Sequence, residues 1–319
     1  MPVFSNIKES VRYNTSATKY TTMRPQSSGD TMAPLVWLIT GTSSGLGMCL
    51  ARAVVEAGHR VIATSRSPYK SSGFIEGLEG SGNGKWMQLD VASDELEHQV
   101  EACVKVFGQV DVLVNNAGYG SGGALEDISL AEIHRQMEVN FFGPLRTTKA
   151  LIPHMRERGS GTIINVTSTV GFSGMPALSM YAASKHALEG LSESLAGELG
   201  PFGVRVMIVE PGDMRTEFVS QKNSTLTPLS LPYKGTVVGY VTNAVLGMHG
   251  KQLLDPERSA RRIVEAVTGE GSDWPENRES YLRLVLGQQC FGSMEANVKM
   301  LQDNLEAMRT VSYSVDFDA

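Results

Sequence analysis

LVWLITGTSSGLG, residues 35–47, carries a run of apolar residues into a turn with three glycines and then into a helical stretch. The leading LVWLI (35–39) is apolar throughout instead of alternating, as a strand covered on both faces must be. Glycines follow where the chain turns sharply and where its backbone would approach a pyrophosphate, whose charge amide N–H groups and a helix N-terminus hold. A glycine-rich turn with no ligand is the competing reading, because the spacing G-x-x-x-G-x-G departs from G-x-G-x-x-G. The strand before and the helix after favour the nucleotide. On that reading Gly41, Ser43, Ser44, Gly45, Leu46 and Gly47 form the phosphate cradle.

The same alternation continues down the chain. RVIATS (60–65), KWMQLD (85–90), DVLVNN (111–116), GTIINVTS (161–168) and VRVMIVE (204–210) read as further strands, and Leu46–Ala57, Ser93–Phe107, Ala131–Arg156 and Ser179–Gly200 as helices between them. Strand-helix alternation of this kind predicts an α/β fold, a Rossmann-type doubly wound parallel sheet with helices on both faces. No internal repeat or coiled-coil heptad array is visible.

The end of the second strand selects between nicotinamide cofactors. An acid there would bond a ribose 2′-hydroxyl, whereas this chain has Ser65-Arg66, which suits a 2′-phosphate. NADP is therefore expected over NAD, although a surface arginine at a strand end is common. Asp90, after the third strand, has the position either to accept from an adenine amino group or to cap the helix that follows.

SMYAASK (179–185) places Tyr181 and Lys185 at i and i+4, on one face of a helix. A free tyrosine, with a pKa near about 10, is a poor base at neutrality, and a neighbouring ammonium brings it toward a useful range. Alone, the pair is an ordinary amphipathic helix. Ser168 stands thirteen residues before Tyr181, with Thr167 and Thr169 as equally hydroxylated neighbours.

With these residues together, the chain resembles the classical short-chain dehydrogenases/reductases over roughly residues 35–290. TGTSSGLG is similar to that family's cofactor loop, Asn115-Asn116-Ala117-Gly118 to the segment that steadies the sheet beside the cofactor, and SMYAASK to its Tyr-x-x-x-Lys. The resemblance implies that Ser168 holds the substrate oxygen and that Asn140, in EVNFFG, carries a water linking Lys185 to solvent. It further implies that Asn116, Met214 and Thr216 contact the cofactor and that Lys149 lies near the ribose or nicotinamide. The expected activity is NADPH-dependent interconversion of a carbonyl and an alcohol, with Tyr181 exchanging the proton and Lys185 anchoring the ribose. A non-catalytic NADP sensor would have no need of all four polar residues. An epimerase or dehydratase of the extended branch fits the glycine spacing and the length after the sixth strand less well.

Composition agrees with an enzyme of small molecules. The 319 residues carry 28 basic and 34 acidic groups, a net charge of −6, without a basic run for nucleic acid. Three widely spaced cysteines argue against a disulfide scaffold, and the six histidines form no ligand motif, so no metal is expected. No apolar run approaches the ~20 residues of a membrane span. These features point to a cytoplasmic protein, with organelle targeting by the N-terminal extension left open. Residues 1–33, rich in Ser, Thr and Pro, read as a flexible extension, and 34–319 as the nucleotide-binding domain.

Residues 213–255 mix Ser, Thr, Pro and Gly with Phe218, Leu226, Leu229, Leu231, Tyr233 and Tyr240. They form either a lid over a lipophilic substrate or a surface excursion burying those side chains against the core. After Gly287, apolar residues at helical spacing from Met294 to Met308 cover either a core edge or a contact between subunits.

Overall fold

The computed structural model describes residues 33–67, 72–219, 225–271, 273–275 and 277–317. The N-terminal extension expected over 1–33 lies, but for its last residue, outside the described residues. Seven parallel strands form one sheet in the order β3-β2-β1-β4-β6-β7-β9. They are β1 (Val36–Thr40), β2 (Arg60–Ser65), β3 (Gly84–Gln88), β4 (Val112–Asn115), β6 (Gly161–Val166), β7 (Val204–Pro211) and β9 (Arg283–Leu286). The short pair β5 (Ser121–Gly122) and β8 (Thr225–Leu226) forms a separate parallel ladder.

Burial follows the period of two. Trp37, Ile39, Val61, Val114 and Val209 face one layer, with helices α1 (Gly45–Glu56) and α8 (Pro256–Thr268). Leu38, Ile62, Leu113, Ile163 and Val206 face the other, with α3 (Leu96–Phe107), α5 (Gly143–Arg158) and α6 (Ser179–Leu199). Alternate residues of each strand are thus claimed by opposite helical layers, which is why the strands read as continuous apolar runs.

Three elements differ from the sequence expectation. A helix α2 (Ser72–Gly80), three of whose nine residues are glycine, precedes β3. The long helix expected over 131–156 is α4 (Leu130–Met137) and α5 joined by a π-turn at Glu138–Phe142, which carries Asn140. The seventh strand, RLVL, was hidden by Arg283, an apolar-run breaker at the sheet edge. The remaining helices are α7 (Val237–Gly247) and α9 (Gln288–Tyr313).

β1 lies between β2 and β4, so the sheet reverses its winding at the carboxyl ends of β1 and β4. Ligands of open α/β sheets bind at such a crevice.

Candidate active site

The glycine turn sits at this switch point. Gly41 (φ +73°) and Gly45 (φ +59°) adopt the left-handed backbone that a β-carbon disfavours, and a β-carbon on Gly41 would lie 2.8 Å from the Ala117 Cα. Asn116 ties β4 to this turn, its Nδ2 donating to the carbonyls of Thr40 (2.9 Å) and Gly41 (3.0 Å). Ser44 caps α1 without a side-chain bond, and no acid occupies the helix's first turn. Open N–H groups, a positive dipole end and no competing carboxylate suit a bound phosphate. Thr216 packs on Gly45, its Cβ 3.4 Å from where a side chain would begin, so the segment after β7 closes this rim. Met214 is fastened to Leu254 by an isolated parallel bridge.

At the end of β2 the two expected phosphate contacts separate. Ser65 is buried, its hydroxyl accepting from Trp86 Nε1 (3.1 Å) and donating to the Ser67 carbonyl (3.1 Å). That hydroxyl is committed to the fold. Arg66 is exposed and makes no ion pair with any described residue. The Asp90 carboxylate accepts from the Ala92 amide (3.1 Å), closing a turn ahead of α3, which begins only at Leu96.

α6 delivers the tyrosine and lysine to the same rim. Tyr181 and Lys185 are 9% and 5% exposed, and the Lys185 Nζ stands 5.9 Å from the centre of the Tyr181 ring. Lys185 donates to the Val166 carbonyl at the end of β6 (2.8 Å). Burial pulls its ammonium down to about 8, with Glu189 one turn further on opposing the fall. Burial also pushes the Tyr181 phenol up to about 12, against the pull of a hydrogen bond with Ser168 and with a smaller push from Asp213. Ser168, between β6 and a single 3₁₀ turn, is the hydroxyl that meets the phenol, whereas Thr167 Oγ1 donates to the Val209 carbonyl (3.2 Å).

Asn140 is fully buried in the π-turn. Its Nδ2 donates to the Tyr119 carbonyl (2.9 Å) and to Ser184 Oγ (3.1 Å), and its Oδ1 accepts from the Tyr119 amide (3.1 Å). These bonds pin the glycine-rich segment 118–123 to α6. A β-carbon on Gly118 would lie 3.2 Å from Asn140 Oδ1 and 3.6 Å from Lys185 Nζ, so the two side chains converge on one small space. Lys149 is exposed on α5.

Above Tyr181 the wall is apolar. Phe218 is tilted over its ring at 5.9 Å, and Leu178 and Leu226 close on Gly122. The excursion 213–255 is fastened at its base by Arg215 and Leu254 (N to O, 3.0 Å) and crosses segment 118–123 through the β5–β8 pair. Leu231, Tyr240 and Leu253 stay exposed on it, so the burial of its apolar residues against the core holds only in part.

Sequence reasoning missed the charged cluster behind α6. Arg283 of β9 pairs with Glu189 (2.7 Å), Glu193 (2.5 Å) and Glu210, the last fully buried on β7. Only the position of Glu189, one turn after Lys185, was a signal for it.

A doubly wound sheet whose first crossover opens on a glycine turn places the chain among the Rossmann-type nucleotide-binding proteins. Within that class the chain belongs to the short-chain dehydrogenase family, whose model matches residues 35–227. It is 44% identical over 213 residues to oxidoreductase claN of Passalora fulva, covering 66% of this chain and 96% of that protein. With human retinol dehydrogenase 8 it shares 43% over 247 residues, 74% of this chain and 77% of that one. A short-chain dehydrogenase from Streptomyces avermitilis superposes with a TM-score of 0.79 at 34% identity, covering 90% of this chain and all of that one. An alcohol dehydrogenase from Thermococcus sibiricus, solved as a complex with 5-hydroxy-NADP, gives 0.62 at 27% identity over 80% of this chain and 96% of that one. The protein is therefore an oxidoreductase of the short-chain dehydrogenase family, among whose solved structures are complexes with nicotinamide dinucleotides. Among the described residues no helix is long and apolar enough to cross a membrane.

Proposed function

We propose that the protein is an NADP(H)-dependent reductase or dehydrogenase that interconverts a ketone or aldehyde with an alcohol on a lipophilic small molecule. The observation that carries this reading is the buried Tyr181, bonded by Ser168 and flanked by Lys185, on the rim that also bears the glycine turn.

The cofactor, when bound, supplies or accepts the hydride. The α1 N-terminus with Ser43, Ser44 and Leu46 holds its pyrophosphate, Arg66 meets a 2′-phosphate, and Lys185 reaches the ribose. Met214 and Thr216 close the nicotinamide end. In reduction, neutral Tyr181 gives its proton to the substrate oxygen, and a phenol whose pKa burial has raised holds that proton at neutral pH. Ser168 donates to the same oxygen and stabilises the charge it gains. The Lys185 ammonium favours the tyrosinate left behind, and Asn140 shapes the space where a water links Lys185 to solvent. In oxidation the proton moves the other way, with Tyr181 as base.

Three features support the finer points. Arg66 without an ion-pair partner among the described residues favours the phosphorylated cofactor. Phe218 and Leu178 beside Tyr181 and Leu226 against Gly122, together with the likeness to a retinol dehydrogenase, favour a lipophilic substrate. The three free thiols suit work in the cytoplasm. A purely sensing protein would not need a serine bonded to a buried phenol.

The test is NADPH oxidation with a panel of long-chain and cyclic ketones, followed by the same assay on Tyr181→Phe. That variant should lose at least about a thousandfold in kcat while binding NADPH as before. A near-normal rate in Tyr181→Phe, or NADPH binding with turnover of no carbonyl compound, would overturn the reading.

A further inference from the structure

α9 leaves the body of the protein after its first two turns. Cys290 is fully buried, its Sγ 3.2 Å from the Glu210 carbonyl oxygen, and Met294 and Asn297 are half-buried. Every residue from Val298 to Phe317 is exposed. An isolated helix of that length is marginal in water, and its exposed faces should be polar. Instead Met294, Val298, Leu301, Leu305 and Met308 follow one another at steps of four and three, the a and d positions of a heptad seam. Two heptads are too few to stand out as an array in sequence, but here the seam is bare. The opposite face carries the Lys299–Asp303 pair (2.9 Å), an ordinary solvated arrangement.

We propose that a second copy of this chain covers the seam, with the two α9 helices packed antiparallel. In such a pair an a position faces a d position, so Leu301 meets Leu305 of the second copy and Val298 meets Met308. The flanking charges then complement one another. Glu295 comes opposite Arg309 of the second copy, twice by symmetry, while Gln302 and Asn304 each approach their own counterparts near the dyad. Both Glu295 and Arg309 are exposed, and Arg309 exchanges or shares its present partner Glu306 (2.9 Å). A parallel pair would set Asn304 against Arg309 and Asn297 against Gln302, with no opposite charges across the seam. The helix carries three acids against two bases, which disfavours an anionic lipid surface as its cover. Exposed Val315 and Phe291 of the second copy fall close together in the same register, which extends the apolar contact to the helix base.

Sedimentation of the full chain over a concentration series tests this. The wild type should be a dimer, and Leu301→Asp a monomer that keeps its reductase rate and circular dichroism. Glu295→Arg or Arg309→Glu alone should weaken the dimer about tenfold, and the double exchange should restore it. Mixing Val298→Cys with Met308→Cys chains should give the crossed disulfide, whereas self-linked Val298→Cys would mean parallel helices and overturn the register. A monomeric wild type, a dimer indifferent to Leu301→Asp, or a monomer that uses α9 to bind phosphatidylserine vesicles would overturn the proposal itself.

Discussion

Lys185 offers the sharpest test of the proposed chemistry, because its environment moves its charge into an accessible pH range. The side chain is 5% exposed, and burial lowers its pKa from 10.5 to about 8. At pH 7 roughly nine molecules in ten carry the ammonium, and at pH 9 roughly one in ten does. If that charge anchors the ribose and supports Tyr181, kcat/KM for NADPH should be flat below about pH 7.5 and fall toward tenfold per unit above about 8. The sign is fixed by the direction of the shift: a depressed lysine loses its proton as pH rises, and activity goes with it. Lys185→Arg keeps a cation and should remove this alkaline limb, at a lower plateau because the guanidinium does not match the site. Glu189→Gln takes away the carboxylate that raises the Lys185 pKa, so the limb should move to lower pH. The assay is initial-rate NADPH oxidation against pH at saturating carbonyl substrate. A limb that stays in place in both variants, or a profile flat to pH 10, would refute the assignment of the ammonium.

Other consequences are open to measurement. Arg66→Glu should raise the KM for NADPH about ten- to a hundredfold and improve use of NADH, since a charge-assisted phosphate contact becomes a repulsion; equal use of both cofactors by the wild type would count against the phosphate role. Arg283→Met strands two buried carboxylates, Glu189 and Glu210, and should cost about 3–5 kcal/mol in urea unfolding. Glu210 is held by burial at about 7, above its ordinary 4.5, despite the nearby Arg283. Because the folded state holds that proton more tightly, the contribution is complete below about pH 4.5 and is lost as pH rises through about 7, at most about 3 kcal/mol. Glu210→Gln should flatten the loss of thermal stability between about pH 4.5 and 7, and an unchanged slope would show that another group titrates there.

Much of this arrangement was legible from residues alone. β1, β2, β4, β6 and β7 are claimed by helices on both faces, so their apolar runs were unmistakable, and Tyr181 and Lys185 were already on one helical face. The glycine turn showed its place because strand and helix flank it. What stayed hidden depends on contacts far apart in the chain. β9 pairs with β7 at the sheet edge, where Arg283 finds three carboxylates on α6 and β7, and nothing local to RLVL announces them. Ser65 reads as a phosphate ligand, yet its hydroxyl proton goes to the Ser67 carbonyl while the Trp86 indole donates to its oxygen. The π-turn at Asn140 has no signature in EVNFF, since one extra residue in a helical turn changes no periodicity that a short window can detect.

The cluster behind α6 also explains how a buried lysine survives. Moving an ammonium out of water is costly unless an opposite charge accompanies it, and among the described residues the Lys185 Nζ has the Val166 carbonyl as its one direct bond. Glu189 supplies the charge from one turn away, but a glutamate that is 4% exposed needs its own partner, and Arg283 provides it. Arg283 is held charged because, although burial pulls its pKa down, the bond from Glu189 and the Glu210 charge outweigh that pull. Lys185 and Arg283 thus face three carboxylates, Glu189, Glu193 and Glu210. One acid is in excess, and Glu210, completely inaccessible on β7, is the one whose pKa is driven upward, by burial first and by the Glu189 and Glu193 charges after it, with Arg283 opposing. The sheet edge and the proposed active-site rim are therefore one electrostatic unit, in which Arg283 of β9 acts on Lys185 through Glu189 without touching it.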